Sequence, residues 1–172
     1  MGYWLFYAGP ENYLCERGER DFANEEGPWS GAVGVRAGDV AVLYRKLLSK
    51  LTAQQISELT GMSLQLAAEI KRRQIGSDIS LVWQIVSGDQ GPFGRWSHGC
   101  TVKLLTTIDP PITLKELKAE VRLRKWQDLR WNFRAQGREA LEIPEFAWSI
   151  LREMIEQRLG RQMPGLISAG GS

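Results

Sequence analysis

The chain has 172 residues, enough for one domain with a sizeable core, and its 43% hydrophobic and 24% charged composition is that of an ordinary globular protein. A formal net charge of +2 excludes an overall polycation or polyanion, and no apolar run is long enough to cross a bilayer. Two cysteines, Cys15 and Cys100, exclude a disulfide framework, so free thiols, a cytoplasmic setting and no membrane partner are expected.

The first element is Tyr3-Trp4-Leu5-Phe6-Tyr7, a run of strand formers ended by Gly9-Pro10. No polar residue alternates with them, so both faces want cover and an interior strand is predicted. The run lacks the basic start, longer apolar core and small-residue cleavage site of a secretory signal. Acids then dominate: Glu11, Glu16, Glu19, Asp21, Glu25 and Glu26 stand against Arg17 and Arg20. Gly27-Pro28-Trp29-Ser30-Gly31 reads as a loop, and Ala37-Gly38-Asp39 as a turn feeding a strand over Val40–Tyr44.

"LTAQQISELTGMSLQLAAEIKRR" predicts two short helices broken at Thr60-Gly61-Met62. Thr52 with Gln55 caps the first and Ser63 the second. A glycine at the turn with Ile56, Met62, Ala67 and Ile70 around it fits a helix-turn-helix, although Thr60 stands where an apolar residue is preferred. The other reading is a plain helical hairpin inserted between strands. Lys71, Arg72 and Arg73 either meet phosphates or simply offset the helix dipole.

Further strands are predicted over Ile79–Val86 and Cys100–Ile108, separated by the loop "QGPFGRW", with Pro110-Pro111 stopping the second. His98 beside Cys100 is the only histidine and no CxxC accompanies it, so neither a metal nor a cofactor is expected. Thr113 and Glu116 form a capping box that starts a helix over Leu114–Val121. The next stretch, "VRLRKWQDLRWNFRAQGR", interleaves Arg122, Arg124, Lys125, Arg130, Arg134 and Arg138 with Trp126, Trp131 and Phe133. Arginines neutralise phosphates and aromatics stack on unpaired bases, so the mixture suits a nucleic-acid surface. It equally suits a solvated segment whose aromatics face the core. Pro144 opens a last amphipathic helix through Phe146, Ile150, Leu151, Met154 and Ile155, and residues 161–172 read as a flexible tail.

Taken in order, Tyr3-Trp4-Leu5, Trp29-Ser30-Gly31, Gly38-Asp39 running to Tyr44, Trp96-Ser97 and Pro111-Ile112-Thr113-Leu114-Lys115-Glu116-Leu117 resemble the EVE domain. That family belongs to the PUA-like superfamily and is similar in fold to YTH domains. The resemblance covers residues 1–160 except the hairpin over 46–76. It implies an α+β fold, a PUA-like β-barrel with flanking helices and an inserted helical hairpin, with the opening strand central to a closed barrel.

The resemblance also implies a function: a non-catalytic module that reads a modified base in nucleic acid, DNA before RNA. The base most often implied is 5-methylcytosine or 5-hydroxymethylcytosine, flipped into an aromatic pocket. Modified RNA and a helix-turn-helix regulator are the alternatives, and a fused or associated nuclease or restriction module is an implied partner. Trp29 matches the family's pocket tryptophan. Tyr7, Ala8, Tyr44 and Trp131 are further pocket candidates, each with the competing role of packing the barrel. Backbone contacts are expected from Arg124, Lys125, Arg130, Arg134 and Arg138, and from Lys71, Arg72 and Arg73.

The sequence departs from the family where Ala32-Val33-Gly34-Val35-Arg36-Ala37 leads straight from the Trp-x-Gly to the Gly-Asp turn. The polar pocket contacts of that segment are therefore missing or supplied elsewhere, for which "RWNFR" is a candidate. For catalysis, Asp109, Glu116 and Lys118 stand in rough nuclease order, but the capping box already explains Glu116. With no Gly-x-Ser-x-Gly, no Walker loop and no paired metal ligands, an enzyme is not expected.

Overall fold

The structure is a computed structural model that describes residues 1–23, 26–46 and 50–163. Six strands form one curled, mixed sheet: β1 (Tyr3–Ala8), β4 (Glu26–Ser30), β5 (Val40–Arg45), β6 (Asp78–Ser87), β7 (Gly99–Thr113) and β8 (Ala140–Glu142). Their order is β4-β7-β6-β5-β1-β8, with β1 and β5 parallel and every other pair antiparallel. The sheet is thus a half-barrel whose ladder, among the described residues, stays open between β4 and β8. The expected closure is incomplete because both outer strands are short. A two-stranded ribbon, β2 (Leu14–Cys15) with β3 (Gly18–Glu19), follows the short helix α1 (Pro10–Tyr13).

The unbroken apolar character of β1 is explained by what lies on its two sides. Trp4, Phe6 and Ala8 face one core with Leu43 and Trp83, whereas Leu5, Val40 and Val42 face a second with Ile79. Each large side chain so buried contributes about 1.5–3 kcal/mol. The first core is roofed by α2 (Ala53–Thr60) and α3 (Leu64–Arg72), which insert Ile56, Met62, Ala67 and Ile70. Their caps are those expected: Thr52 and Gln55 bond reciprocally, Ser63 accepts from the Leu66 amide, and Gly61 ends α2 at a φ of +80°. The hairpin is therefore part of the body, packed by its apolar side into the first core beside α1 and the β2–β3 ribbon.

The second core is covered by α4 (Leu114–Ala119), a 3-10 turn (Val121–Leu123), α5 (Gln127–Arg130) and α6 (Glu145–Leu159). The Thr113–Glu116 capping box starts α4, which ends two residues sooner than predicted. Tyr3 stacks on Trp148 of α6 with ring centroids 4.7 Å apart. Met163 is buried in this core and its amide donates to Glu156. The rest of the expected tail lies outside the described residues. No helix among the described residues is long and apolar enough to cross a membrane.

Two further expectations change. Gly27–Ser30 is not a loop but part of edge strand β4, where Pro28 is tolerated because its missing N–H can face outward. The strand expected to stop at Pro110-Pro111 runs on to Thr113, with both prolines in a bulge.

The Gly38-Asp39 turn has a structural task. Gly38 sits at a φ of +90°, and the Asp39 carboxylate accepts from the Gly2 amide, the Arg36 amide and the buried Trp4 indole at 2.7, 2.9 and 3.0 Å. Asp39→Ala strands these donors, and the expected cost is about 3 kcal/mol in chemical denaturation, given 1–3 kcal/mol for one buried orphan donor.

Candidate nucleic-acid interface

Strand β6 breaks register in a way that leaves one residue outside both ladders. Toward β5, Leu81 opposes Leu43 and Ile79 opposes Tyr44; toward β7, Leu81 opposes Thr107 and Ile79 opposes Ile112. Ser80 consequently has no opposite residue in either ladder, and Ile108–Pro111 loop out beside it. Bulges of this kind re-aim side chains. Ser80 is only 9% exposed, its side chain has no hydrogen-bond partner among the described residues, and it lines a cleft of about 260 Å³.

Arg45 closes one side of that cleft. Its Nε and Nη2 donate to the two oxygens of Asp78 at 2.7 and 2.8 Å, and Nη1 reaches Glu19 at 3.4 Å. Burial alone would lower this guanidinium, but the bonds and charge of Asp78 outweigh it and hold the group above its ordinary value. Three of its five N–H groups are thereby engaged, leaving donors toward the cleft. The guanidinium also lies 5.3 Å from the Tyr13 ring centroid. Tyr13 donates to the Lys46 carbonyl at 2.6 Å, and burial pushes its hydroxyl well up, so it stays protonated. Asp21, Thr107 and Asp109 add polar groups, and Leu81, Ile108 and Pro111 an apolar wall.

Phe22 separates this cleft from a second depression of about 310 Å³ beside Trp29 and Trp83. The three rings form a tight cluster: Trp29–Trp83 centroids lie 4.8 Å apart, Phe22–Trp83 5.9 Å and Phe22–Trp29 6.4 Å. Arg20 lines both depressions and lies 5.2 Å over the Phe22 ring. The indole Nε1 of Trp29 is buried without a hydrogen-bond partner. A buried polar group stranded at about 1–3 kcal/mol is uncommon in native interiors, and the Trp29 indole is one that borders this depression.

The sequence-derived pocket residues do not all gather here. Trp29 lines the cleft system. Ala8 is fully buried on the same side of the sheet but lines neither depression. Tyr7 and Tyr44 project to the opposite side, where Tyr44 packs on Phe133 and the Tyr7 hydroxyl donates to the Phe133 carbonyl at 2.7 Å. Trp131 is exposed at the end of α5, on that same far side. The period-2 alternation of strands imposes this split, since adjacent residues of β1 cannot share a face.

The basic residues also divide. Arg73 pairs with Glu19 at 2.8 Å, bringing the end of α3, with Lys71 and Arg72, to the cleft rim. In the later tract Trp126 and Phe133 are core residues, so the amphipathic reading holds for them. Arg122 is tied to Glu120 and Glu153, and Arg138 to Asp128. Arg124, Lys125, Arg130 and Arg134 are exposed with no ion pair among the described residues, and Arg124 and Arg130 line a groove of about 500 Å³ beyond the second core. Sequence reasoning missed Tyr13, Phe22, Arg45, Ser80 and Trp83. Two signals were present: Ser80 interrupts an apolar run, and Arg45 ends a strand buried on both sides.

No protein-family model matches the chain, and no curated protein matches it. Solved structures do. A Rhodopseudomonas palustris protein determined by NMR superposes with a TM-score of 0.54 at 15% identity, covering 91% of this chain and 94% of its own. An Agrobacterium tumefaciens crystal structure gives 0.53 at 15%, covering 95% and 99%. Human THYN1 in complex with DNA containing 5-methylcytosine gives 0.51 at 13%, covering 91% and 98%. The chain shares their fold. It is a PUA-like barrel fold with flanking helices, as the motif order implied.

Cys100 tests the integrity of the aromatic side. It lies opposite Trp29 in β7, its thiol 3.6 Å from the Trp29 carbonyl oxygen, and burial followed by the charge of Asp89 pushes it up to about 12. The thiolate is the reactive form and this thiol stays protonated below that pH. At pH 8 iodoacetamide is expected to spare Cys100 in the folded protein and to modify it once denaturant opens β4. Rapid labelling of the native protein, read by mass spectrometry, would contradict the packing.

Proposed function

We propose that the protein is a non-catalytic nucleic-acid-binding module that reads a modified base, 5-methylcytosine or 5-hydroxymethylcytosine in DNA, flipped into the Ser80–Arg45 cleft. The observation that carries this reading is the Ser80 hydroxyl, which has no protein partner among the described residues and opens on a cleft beside an Arg45 with donors to spare and the rings of Tyr13 and Phe22. A flipped base needs flat faces to replace its lost stacking and polar groups to meet its edge. Tyr13, Phe22 and the Arg20 guanidinium supply flat surfaces. Spare Arg45 N–H groups suit the ring acceptors of cytosine, and Ser80 or Asp109 accepts from its exocyclic amine, as carboxylates do in groove recognition. Leu81, Ile108 and Pro111 offer a 5-substituent apolar cover. THYN1, solved with 5-methylcytosine DNA, supports the reading through the shared fold. In this reading Lys71 and Arg72, at the end of α3, hold the flanking phosphates.

Ser80→Ala separates binding from folding. Removing a hydroxyl that bonds no other described group leaves stability unchanged, whereas preference for the modified oligonucleotide falls by about 1 kcal/mol, the usual worth of a hydrogen bond. Trp29→Ala is expected to remove roughly 1–3 kcal/mol of binding if its ring borders the base; a loss confined to melting, about 3–5 kcal/mol, would make it a core residue only. Oligonucleotide titrations over a range of salt separate the basic tracts. Lys71→Ala with Arg72→Ala should lower the salt slope by about two, whereas a drop only on changing Arg124 and Arg130 would move the phosphate track to the opposite side.

A further inference from the structure

The connection between β6 and β7 ends in a feature that neither core nor cleft uses. Phe93 and Trp96 exchange both backbone hydrogen bonds, at 2.9 and 2.8 Å, across Gly94-Arg95. Gly94 sits at a φ of +55°, the first position of a two-residue hairpin turn that wants glycine there. The rings are 40% and 36% exposed, and the Arg95 guanidinium lies 4.9 Å over Trp96.

The turn is held firmly from below. Gln90 and Gly99 bond across its base, Gly31 donates to the His98 carbonyl at 2.8 Å, and the Ser97 amide donates to Glu139 at 2.9 Å. His98 Nδ1 lies 2.8 Å from Asp89, and a Cβ on Gly99 would collide with Phe93. Exposed aromatic rings on a backbone braced this way have little rotamer and loop entropy left to lose on binding.

We propose that the Phe93–Trp96 turn is a second nucleic-acid contact, a stacking tip for an unpaired base of the strand whose modified base enters the cleft. The proposal rests on the reading of the cleft given above. Two observations select nucleic acid as the occupant. An arginine stacked on a tryptophan presents a flat cation, which both stacks on a base and meets a phosphate. The strands that border the cleft also lead to the tip: from the Leu81–Thr107 pair to the Ser87–Thr101 pair, where the connection carrying the tip begins, is six residues along β6, or about 20 Å. That is about six stacked nucleotide steps, and β4 with Trp29 flanks the same track.

The test uses oligonucleotides with the modified base at one end, about twelve or about three nucleotides long, the shorter unable to span the distance. Trp96→Ala is expected to weaken the long strand about tenfold, modified or not, to leave the short one unchanged, and to keep the melting temperature. Trp96→Phe should restore binding, and Arg95→Glu, wholly at the surface, should weaken the long strand in parallel. Unchanged affinity of Trp96→Ala and Arg95→Glu for the long strand overturns the proposal, as does an equal loss on both lengths. A tip that instead binds anionic vesicles, with no effect on oligonucleotides, overturns it too. If Ser80→Ala abolishes discrimination while the tip variants bind normally, the tip alone is refuted. A wild type that binds no oligonucleotide refutes the cleft reading as well.

Discussion

A strand that is apolar on both faces must be covered on both faces, and most of this molecule follows from that requirement. β1 and β5 lie side by side with neither face fit for water. Three helices cover one side, and the helical hairpin with the curl of the sheet covers the other. The cleft opens where the second cover runs out, between the β2–β3 ribbon, the Phe22 segment and the bulge of β6. The cleft's polar groups are therefore gathered at the seam between two packed bodies of side chains.

The hairpin illustrates how a motif changes meaning in context. As a sequence it resembles a unit that reads a DNA groove, yet its apolar residues are spent on the first core. What it delivers to the cleft is charge, through the Arg73–Glu19–Arg45–Asp78 chain of ion pairs. Breaking the buried part of that chain would strand a charge in the interior, a far larger penalty than losing its exposed end.

Much of the fold was legible in the sequence because local signals and tertiary needs agree. The opening strand, both capping boxes, the glycine between α2 and α3 and the Gly38-Asp39 turn are all where their residue types place them. The misreadings share one cause. Pro28, Pro110 and Pro111 read as loops or stops, but an edge strand and a bulge both tolerate a missing amide, and neither is visible from a proline alone. The candidate site was harder still. The family resemblance implies one pocket for Tyr7, Tyr44 and Trp29, but the faces of a sheet depend on register, and the bulge that takes Ser80 out of both ladders arises from pairing with two distant strands.

The open margin of the sheet carries one more implication. β4 is short, contains Gly27 and Pro28, and is the outermost strand on the side where Trp29 lies. An unpaired strand margin bearing an aromatic ring would ordinarily be a template on which a second chain could align and seed aggregation. Proline has no amide hydrogen to offer such a visitor, and glycine no side chain to grip it. The residues that make β4 look like a loop thus allow an adhesive surface to remain uncovered without gluing the molecules to one another.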